Sequence, residues 1–444
     1  MVAEIGEWRW LHALYEGLQK AEVPVESVQA RSGEVTVRAM AGGEPLEVEL
    51  VPRDRGGPCF AAVGRHLVRY RAPASLAPDL RDLLKTMLRI AMQFEPRIPV
   101  RFVQSYILGT GGPAEELRTR FPFAFVERSG DSEVERTEVM IRSSGCNQSC
   151  PFCIAPPVRA AGTETFRACI DLACQLFPGA RITLTGGEPL LRRNFSDELA
   201  FLLSRPEPST VQVQTNAVLL AEQARVESMI CDPRLDFFVS LHATKEPVYD
   251  ACTGTSGNMH RALQGISNLL HAGHTVTINC VANRLNVDHL MGYVQDVVRL
   301  FGGHGGLRLH FSVMICPLGK PNMEKLLVRY SVLAPLLEEA VEYASTAGIF
   351  TGPLISSTHA SIPMCLVSAR QQSLSCNHPV IEEGETAYED FSRSWIKAER
   401  CRGCSYAFSC LGVPSPYAMR FGLDELVPVQ RPASPSVSGV VGAI

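Results

Sequence analysis

TEVMIRSSGCNQSCPFC, residues 137–153, runs a short apolar segment straight into three cysteines, Cys146, Cys150 and Cys153, spaced C-x3-C-x2-C. The segment TEVMIRSS reads as a strand and opens a repeat. RITLTGGE (181–188), TVQVQTN (210–216), DFFVSLH (236–242), TVTINCVA (275–282) and LRLHFSVM (307–314) are further strand candidates. Between them lie helical patterns at 165–177, 195–205, 219–230, 260–273 and 287–301. Strands alternating with helices predict an α/β fold, a parallel sheet with helical crossovers. Six such units are too few for a closed eight-stranded barrel. A curved open barrel and a flat doubly wound sheet both fit.

Outward from this region, residues 1–130 read as a separate α+β module. Helices are expected at 7–22 and 79–94, around strands in SGEVTVRAM (32–40), EPLEVELVPR (44–53) and HLVRYRAP (66–73) that suit an antiparallel meander. The repeat region spans 135–350, ending after the helical LAPLLEEAVEYASTAG (333–348). Residues 360–426 are rich in cysteine and turns, and 427–444 reads as a flexible tail of small residues. The 444 residues are 46% hydrophobic and 20% charged with net charge −4, and no basic stripe marks a nucleic-acid surface. No long apolar run predicts a membrane span, and no export signal is read at the start, so a cytoplasmic, reducing location is expected. The 15 cysteines then argue for metal binding where clustered, not for disulfides. Cys59, Cys169, Cys174, Cys231, Cys252, Cys280 and Cys316 are scattered and read as core packing.

Cysteines after the first strand stand where parallel α/β folds place their sites, at strand C-terminal ends. Three thiolates fall short of the four ligands of a structural zinc site, but they can hold three irons of a [4Fe–4S] cluster and leave the fourth open. Zinc completed by a distant histidine, or chance clustering, are the alternatives. Further polar groups close the later strands. Gly186, Gly187 and Glu188 follow the second, the glycines allowing close backbone approach and the carboxylate suiting an ammonium group. Thr215 and Asn216 follow the third, Ser240 and His242 the fourth, and Asn279, Asn283 and Asn286 the fifth. Each alone is read equally well as a cap or a satisfied core residue.

CNQSCPFC, TGGEP, VSLHA and INCVANRLN together resemble the radical S-adenosylmethionine (SAM) superfamily over about residues 136–320. The resemblance implies a partial (β/α)6 TIM-like barrel. It implies Cys146, Cys150 and Cys153 on a [4Fe–4S] cluster whose open iron takes SAM, and reductive cleavage of SAM to a 5′-deoxyadenosyl radical that abstracts hydrogen. Gly186, Gly187 and Glu188 would hold the SAM amino group. Ser240 and His242 would lie near the ribose, Asn279 near the carboxylate or adenosine, with Thr215 and Asn216 beside them. Phe152 matches the usual aromatic before the last cysteine. A reductant such as flavodoxin or ferredoxin is implied.

Cys401, Cys404 and Cys410, spaced C-x2-C-x5-C, with Gly412, Tyr417 and Gly422 after them, resemble SPASM/twitch-type domains. The pattern's next cysteine is replaced by Pro414, so one auxiliary [4Fe–4S] cluster is expected rather than two, with Cys365 as its fourth ligand and Cys376 in reserve. A four-thiolate zinc site is the alternative. The resemblance implies first a peptide or protein substrate, modified by crosslinking, epimerisation or oxidation. A small-molecule biosynthetic intermediate is the second reading, and a non-catalytic iron–sulfur electron-transfer protein the third.

Overall fold

A computed structural model describes residues 25–31, 34–41, 44–52, 61–63, 66–71, 100–102, 113–130, 135–155, 158–314, 316, 321–352, 354, 362–374, 380–383, 395–404, 410 and 412–430. The helices expected at 7–22 and 79–94, Cys59, Cys376 and the tail beyond 430 lie outside the described residues.

The first strands, β1 (Val25–Arg31), β2 (Glu34–Ala41), β3 (Glu44–Pro52), β4 (Ala61–Val63), β5 (His66–Arg71) and β6 (Val100–Phe102), make an antiparallel sheet in the order β1-β2-β3-β5-β4-β6. The expected meander is its centre. β1 escaped the sequence pattern because a register shift between Val25 and Ser27 breaks its alternation, and β4 and β6 are three residues each, too short to show a period.

The second sheet carries the cysteine loop. β7 (Ala124–Gly130) pairs antiparallel with β8 (Glu135–Ser143). Then β9 (Arg181–Gly186), β10 (Thr210–Thr215), β11 (Leu235–Ser240), β12 (Thr275–Ala282) and β13 (Leu307–Val313) follow in parallel, each beside its predecessor, and β14 (Phe350–Thr351) adds to β13. β15 (Val380–Glu383) pairs antiparallel with β7 at the other edge. Because β7 and β8 are one hairpin, the module boundary drawn at residue 130 falls inside this sheet.

Strand order decides between the two architectures left open by the sequence. From β8 to β14 it never reverses, whereas a doubly wound sheet has a switch point where it does. Crossovers of one hand advancing one way put the helices on a single face. The sheet is therefore singly wound and not closed, a partial TIM-like barrel. Its helix-side face is apolar: Ile182, Leu184, Val211, Val213, Phe237, Val239, Ile278 and Leu309 are all buried. The other face is polar. One row across it, in register, is Met140, Thr183, Gln212 and Asp236, and the next is Arg142, Thr185, Gln214, Phe238, Thr277 and Arg308. Ser240, Asn279 and His310 form the row at the strand ends.

The helix expected over 219–230 divides at Glu222, whose extended backbone separates a 3₁₀ turn (Val218–Ala221) from a short helix (Gln223–Glu227). The helix Glu246–Thr253, absent from the sequence reading, follows β11. In the C-terminal region, β16 (Trp395–Ile396) pairs with β17 (Val413–Pro414). Tyr417 anchors this region. Its hydroxyl accepts from the Tyr330 N–H at 2.7 Å and donates to Glu425, and its ring stacks on Tyr330 at 4.1 Å. Among the described residues no helix is long and apolar enough to cross a membrane.

Candidate active site

The cysteine loop leaves β8 at Ser143 and is gripped from two sides. On one side is the turn after β9. The Gly187 N–H donates to Ser143 O at 2.9 Å and the Glu188 N–H to Gly145 O at 2.8 Å. The contact is so close that a Cβ on Gly187 would lie 1.7 Å from the Gly145 oxygen. Gly186, at φ +104, turns the chain there. Paired glycine is therefore a steric requirement of two backbones pressed together.

On the other side is the helix Glu246–Thr253. The Ser149 N–H donates to Thr253 O at 2.8 Å, and Gln148 Nε2 donates to the buried Tyr249 hydroxyl at 3.0 Å. Gly254, at φ +63, would bring a Cβ within 2.4 Å of the Ser149 oxygen. None of Gln148, Tyr249 or Gly254 was singled out in the sequence. The Thr-Gly pair ending an unrecognised helix was the available signal.

The carboxylate of Glu188 turns inward, only 1% exposed. It accepts from Thr215 Oγ1 at 2.7 Å, the Asn216 N–H at 2.8 Å and the Leu190 N–H at 3.1 Å. Burial pushes its pKa up to about 7 against those three donors, which pull it down. This side chain, expected from sequence to receive an ammonium group, also ties β9 to β10, using three of its about four lone-pair sites. Asn216 Nδ2 carries the link on to Asn147 Oδ1 in the cysteine loop, at 2.7 Å.

Phe152, buried, meets the buried His242 edge-on at 5.0 Å. The Val281 N–H donates to His242 Nδ1 at 3.2 Å, which leaves Nε2 as the protonated nitrogen. Desolvation lowers the pKa of His242 to about 4, so the ring is neutral. Ser240 and Asn279 are register partners at the strand ends, and Ser312 Oγ donates to Asn279 Oδ1 at 2.9 Å. Asn283 and Asn286 brace the backbone after β12, and Asn286 Nδ2 also donates to the His242 carbonyl oxygen at 3.0 Å. Asn286 Oδ1 accepts the Asn283 N–H at 2.9 Å, and Asn283 Oδ1 accepts the Leu285 N–H at 2.8 Å.

Cys146 and Cys153 are exposed and Cys150 is half-buried. Burial first, then the neighbouring Cys153 and Cys146, push the Cys150 thiol up to about 12. Ser143 Oγ, buried at the root of the loop, has no hydrogen-bond partner among the described residues.

Residues 140–297 match the Radical SAM superfamily. That stretch of the chain carries a radical SAM domain. The domain implies a [4Fe–4S] cluster and SAM. A probable GTP 3′,8-cyclase from Methanocella arvoryzae is 32% identical over 182 residues, 38% of this chain and 58% of that protein. A 7-carboxy-7-deazaguanine synthase from Aquifex aeolicus is 35% identical over 86 residues, 19% of this chain and 38% of that protein. The chain thus spans less than two thirds of the length of these relatives. Streptococcus suis SuiB bound to the precursor peptide SuiA shares 15% identity at a TM-score of 0.40, over 62% of this chain and 61% of that one.

A second thiol group lies in the C-terminal region. Cys365, Cys401, Cys404 and Cys410 line one cavity with Lys397, Gly412 and Val427. Burial, then the Cys410, Cys401 and Cys404 thiols, push Cys365 up to about 11. The Gly412 N–H donates to Cys410 Sγ at 3.4 Å and the Val429 N–H to Cys404 Sγ at 3.3 Å.

Proposed function

We propose that this chain is a radical SAM enzyme acting on a small-molecule biosynthetic intermediate, with a guanine nucleotide as the leading substrate class. The relatives' names, GTP 3′,8-cyclase and 7-carboxy-7-deazaguanine synthase, favour this over the peptide or protein substrate expected first from the C-terminal cysteine pattern. The observation that carries the enzymatic reading is the cysteine loop locked between the Gly186–Glu188 turn and the helix Glu246–Thr253.

Cys146, Cys150 and Cys153 suit the cluster. Among the described residues no three His, Cys, Asp or Glu side chains gather at single-ion spacing, and a cubane does not ask for that, since each thiolate takes a different iron. The orphaned Ser143 hydroxyl at the root of the loop is a polar atom awaiting a ligand. Bound there, the cluster and SAM supply one-electron cleavage of a carbon–sulfur bond. The chain's own residues hold and shield. The Gly186–Gly187 backbone sets the floor beside Cys146. Phe152 and neutral His242 give an apolar, unreactive wall, which protects a reactive intermediate. Ser240 and Asn279 offer hydrogen bonds at strand-end level.

The four C-terminal thiols support an auxiliary [4Fe–4S] cluster with Cys365 as fourth ligand. Four protein thiolates leave no open iron, so its role is electron transfer rather than substrate binding. The Gly412 and Val429 N–H groups reach the Cys410 and Cys404 sulfurs and would orient them on a cluster.

The test is reductant-dependent formation of 5′-deoxyadenosine by anaerobically reconstituted protein. It should appear in the native chain, vanish in Cys146→Ala, and rise with a guanine nucleotide. Absence from the native chain at full iron loading would refute the enzymatic reading.

A further inference from the structure

In closed β/α barrels the interior is filled by branched apolar side chains. Here the helix-free face of the second sheet carries carboxamides, hydroxyls and charges. Four of these groups form a directed chain. Thr185 Oγ1 donates to Gln214 Oε1 at 2.6 Å, Gln214 Nε2 donates to Gln212 Oε1 at 3.2 Å, and Gln212 Nε2 donates to Asp236 Oδ1 at 2.7 Å.

Each link fixes the next. Thr185 orients the first amide, which orients the second, which delivers its N–H to the carboxylate. Gln212 is 7% exposed, so this order is set in a buried place. An ionised carboxylate has about four lone-pair sites, and the ladder fills one. What remains at Asp236 is a carboxyl group with acceptor positions to spare, held in place and half-buried, on that polar face.

Adjacent N–H donors are the chemistry that such a group recognises, because two parallel N–H···O bonds to one carboxylate are strong and directional. Guanine carries such an edge, its N1–H beside its 2-amino group. Geometry agrees with the site above. Asp236 lies four residues below Ser240 on the same strand, so about 13 Å beneath the strand ends. A ring docked at Asp236 leaves its sugar a row or two higher, between Phe238 and the level of Ser240 and Asn279. Arg308, exposed at the end of the Phe238 row, suits a phosphate group.

We infer that Asp236, aligned by Gln212 and Gln214, is the specificity residue for the guanine edge of a nucleotide bound inside the open barrel. This rests on the small-molecule reading above and names its ligand contact.

The test uses anaerobically reconstituted full-length protein with SAM, measuring binding of GTP, ITP and ATP by equilibrium dialysis. ITP differs from GTP only in lacking the 2-amino group. Losing one charged hydrogen bond should weaken ITP about 10-fold or more against GTP in the native chain, with ATP weaker still. In Asp236→Asn the GTP preference over ITP should collapse. The nucleotide ranking of the native chain needs no variant, so a variant that misfolds does not rescue the idea. Native protein that forms 5′-deoxyadenosine yet binds GTP, ITP and ATP alike, or none of them, overturns this inference alone. Native protein that forms none at full iron loading overturns the reading beneath it.

Discussion

Gly187→Ala probes the junction of the two loops most directly. The new methyl carbon would meet the Gly145 oxygen at 1.7 Å and its carbonyl carbon at 2.5 Å. Both are backbone atoms, so no rotamer relieves the clash and the loops must part. Parting breaks the hydrogen bonds from Gly187 to Ser143 and from Glu188 to Gly145. Each N–H left unpaired inside the protein costs about 1–3 kcal/mol, so the pair costs about 2–6 kcal/mol, a large part of an ordinary domain's stability. Because Cys146 follows Gly145 directly, iron held by the triad should fall with it. The assay is urea unfolding of the metal-free chain, with iron and sulfide content after reconstitution. Two controls bracket the effect. Gly303→Ala meets nothing within 4 Å and should be neutral. Gly145→Ala also meets nothing within 4 Å but carries φ +75, and should lose only about 1–2 kcal/mol. A Gly187→Ala protein that unfolds and loads iron like Gly303→Ala would refute the steric argument.

Other outcomes follow from the same geometry. A chain with Cys146, Cys150 and Cys153 all changed to Ala should keep about four irons on the C-terminal thiols, and iron analysis that finds none, or zinc instead, removes the auxiliary cluster. Tyr417→Phe leaves the Tyr330 N–H and the Glu425 carboxylate without the hydroxyl they share. It should lower stability by about 1–3 kcal/mol, and an unchanged urea midpoint would count against Tyr417 as an anchor. His242 and Glu188 pull stability in opposite directions with pH. The His242 pKa falls from 6.5 to about 4, so its contribution is complete above pH 6.5 and is lost as pH drops toward 4. That of Glu188 rises from 4.5 to about 7, so its contribution is complete below pH 4.5 and is lost as pH climbs toward 7. Each is worth about 3 kcal/mol at most, and the two nearly cancel between pH 4.5 and 6.5 in the native chain. His242→Asn keeps an acceptor for the Val281 N–H and removes one slope, so stability should then fall as pH rises through that window. An unchanged profile by urea titration would contradict the burial argument.

Much of the second sheet was legible because its strands and helices differ in period, two against 3.6, and alternate in clean blocks. The site was legible where residue type alone restricts chemistry: three close thiols, paired glycines, four more cysteines downstream. Other parts were hidden for physical reasons. Strand direction has no local signature, so Ala124–Gly130 read as part of the first module although its partner is β8. TVQVQTN shows that Gln212 and Gln214 share a face, but an alternating pattern does not say whether that face meets solvent or a cavity. The Gln148–Tyr249 contact joins residues 101 positions apart, and neither carries a motif that names the other. Glu188 was given to a ligand because a carboxylate suits an ammonium group. The fold adds three donors of the protein that share it.

The strand order also bears on how the chain is made. From β7 to β14 each strand emerges from the ribosome beside the one just completed, so the sheet can grow by addition at one edge. The opposite edge waits. β7 is covered by β15, which is synthesised about 250 residues later. Until then β7 offers a row of unpaired backbone groups to any passing strand. Nascent chains released before residue 380 should therefore be the sticky species in the cell, and a chaperone that binds this protein during synthesis would find its natural foothold on that waiting edge.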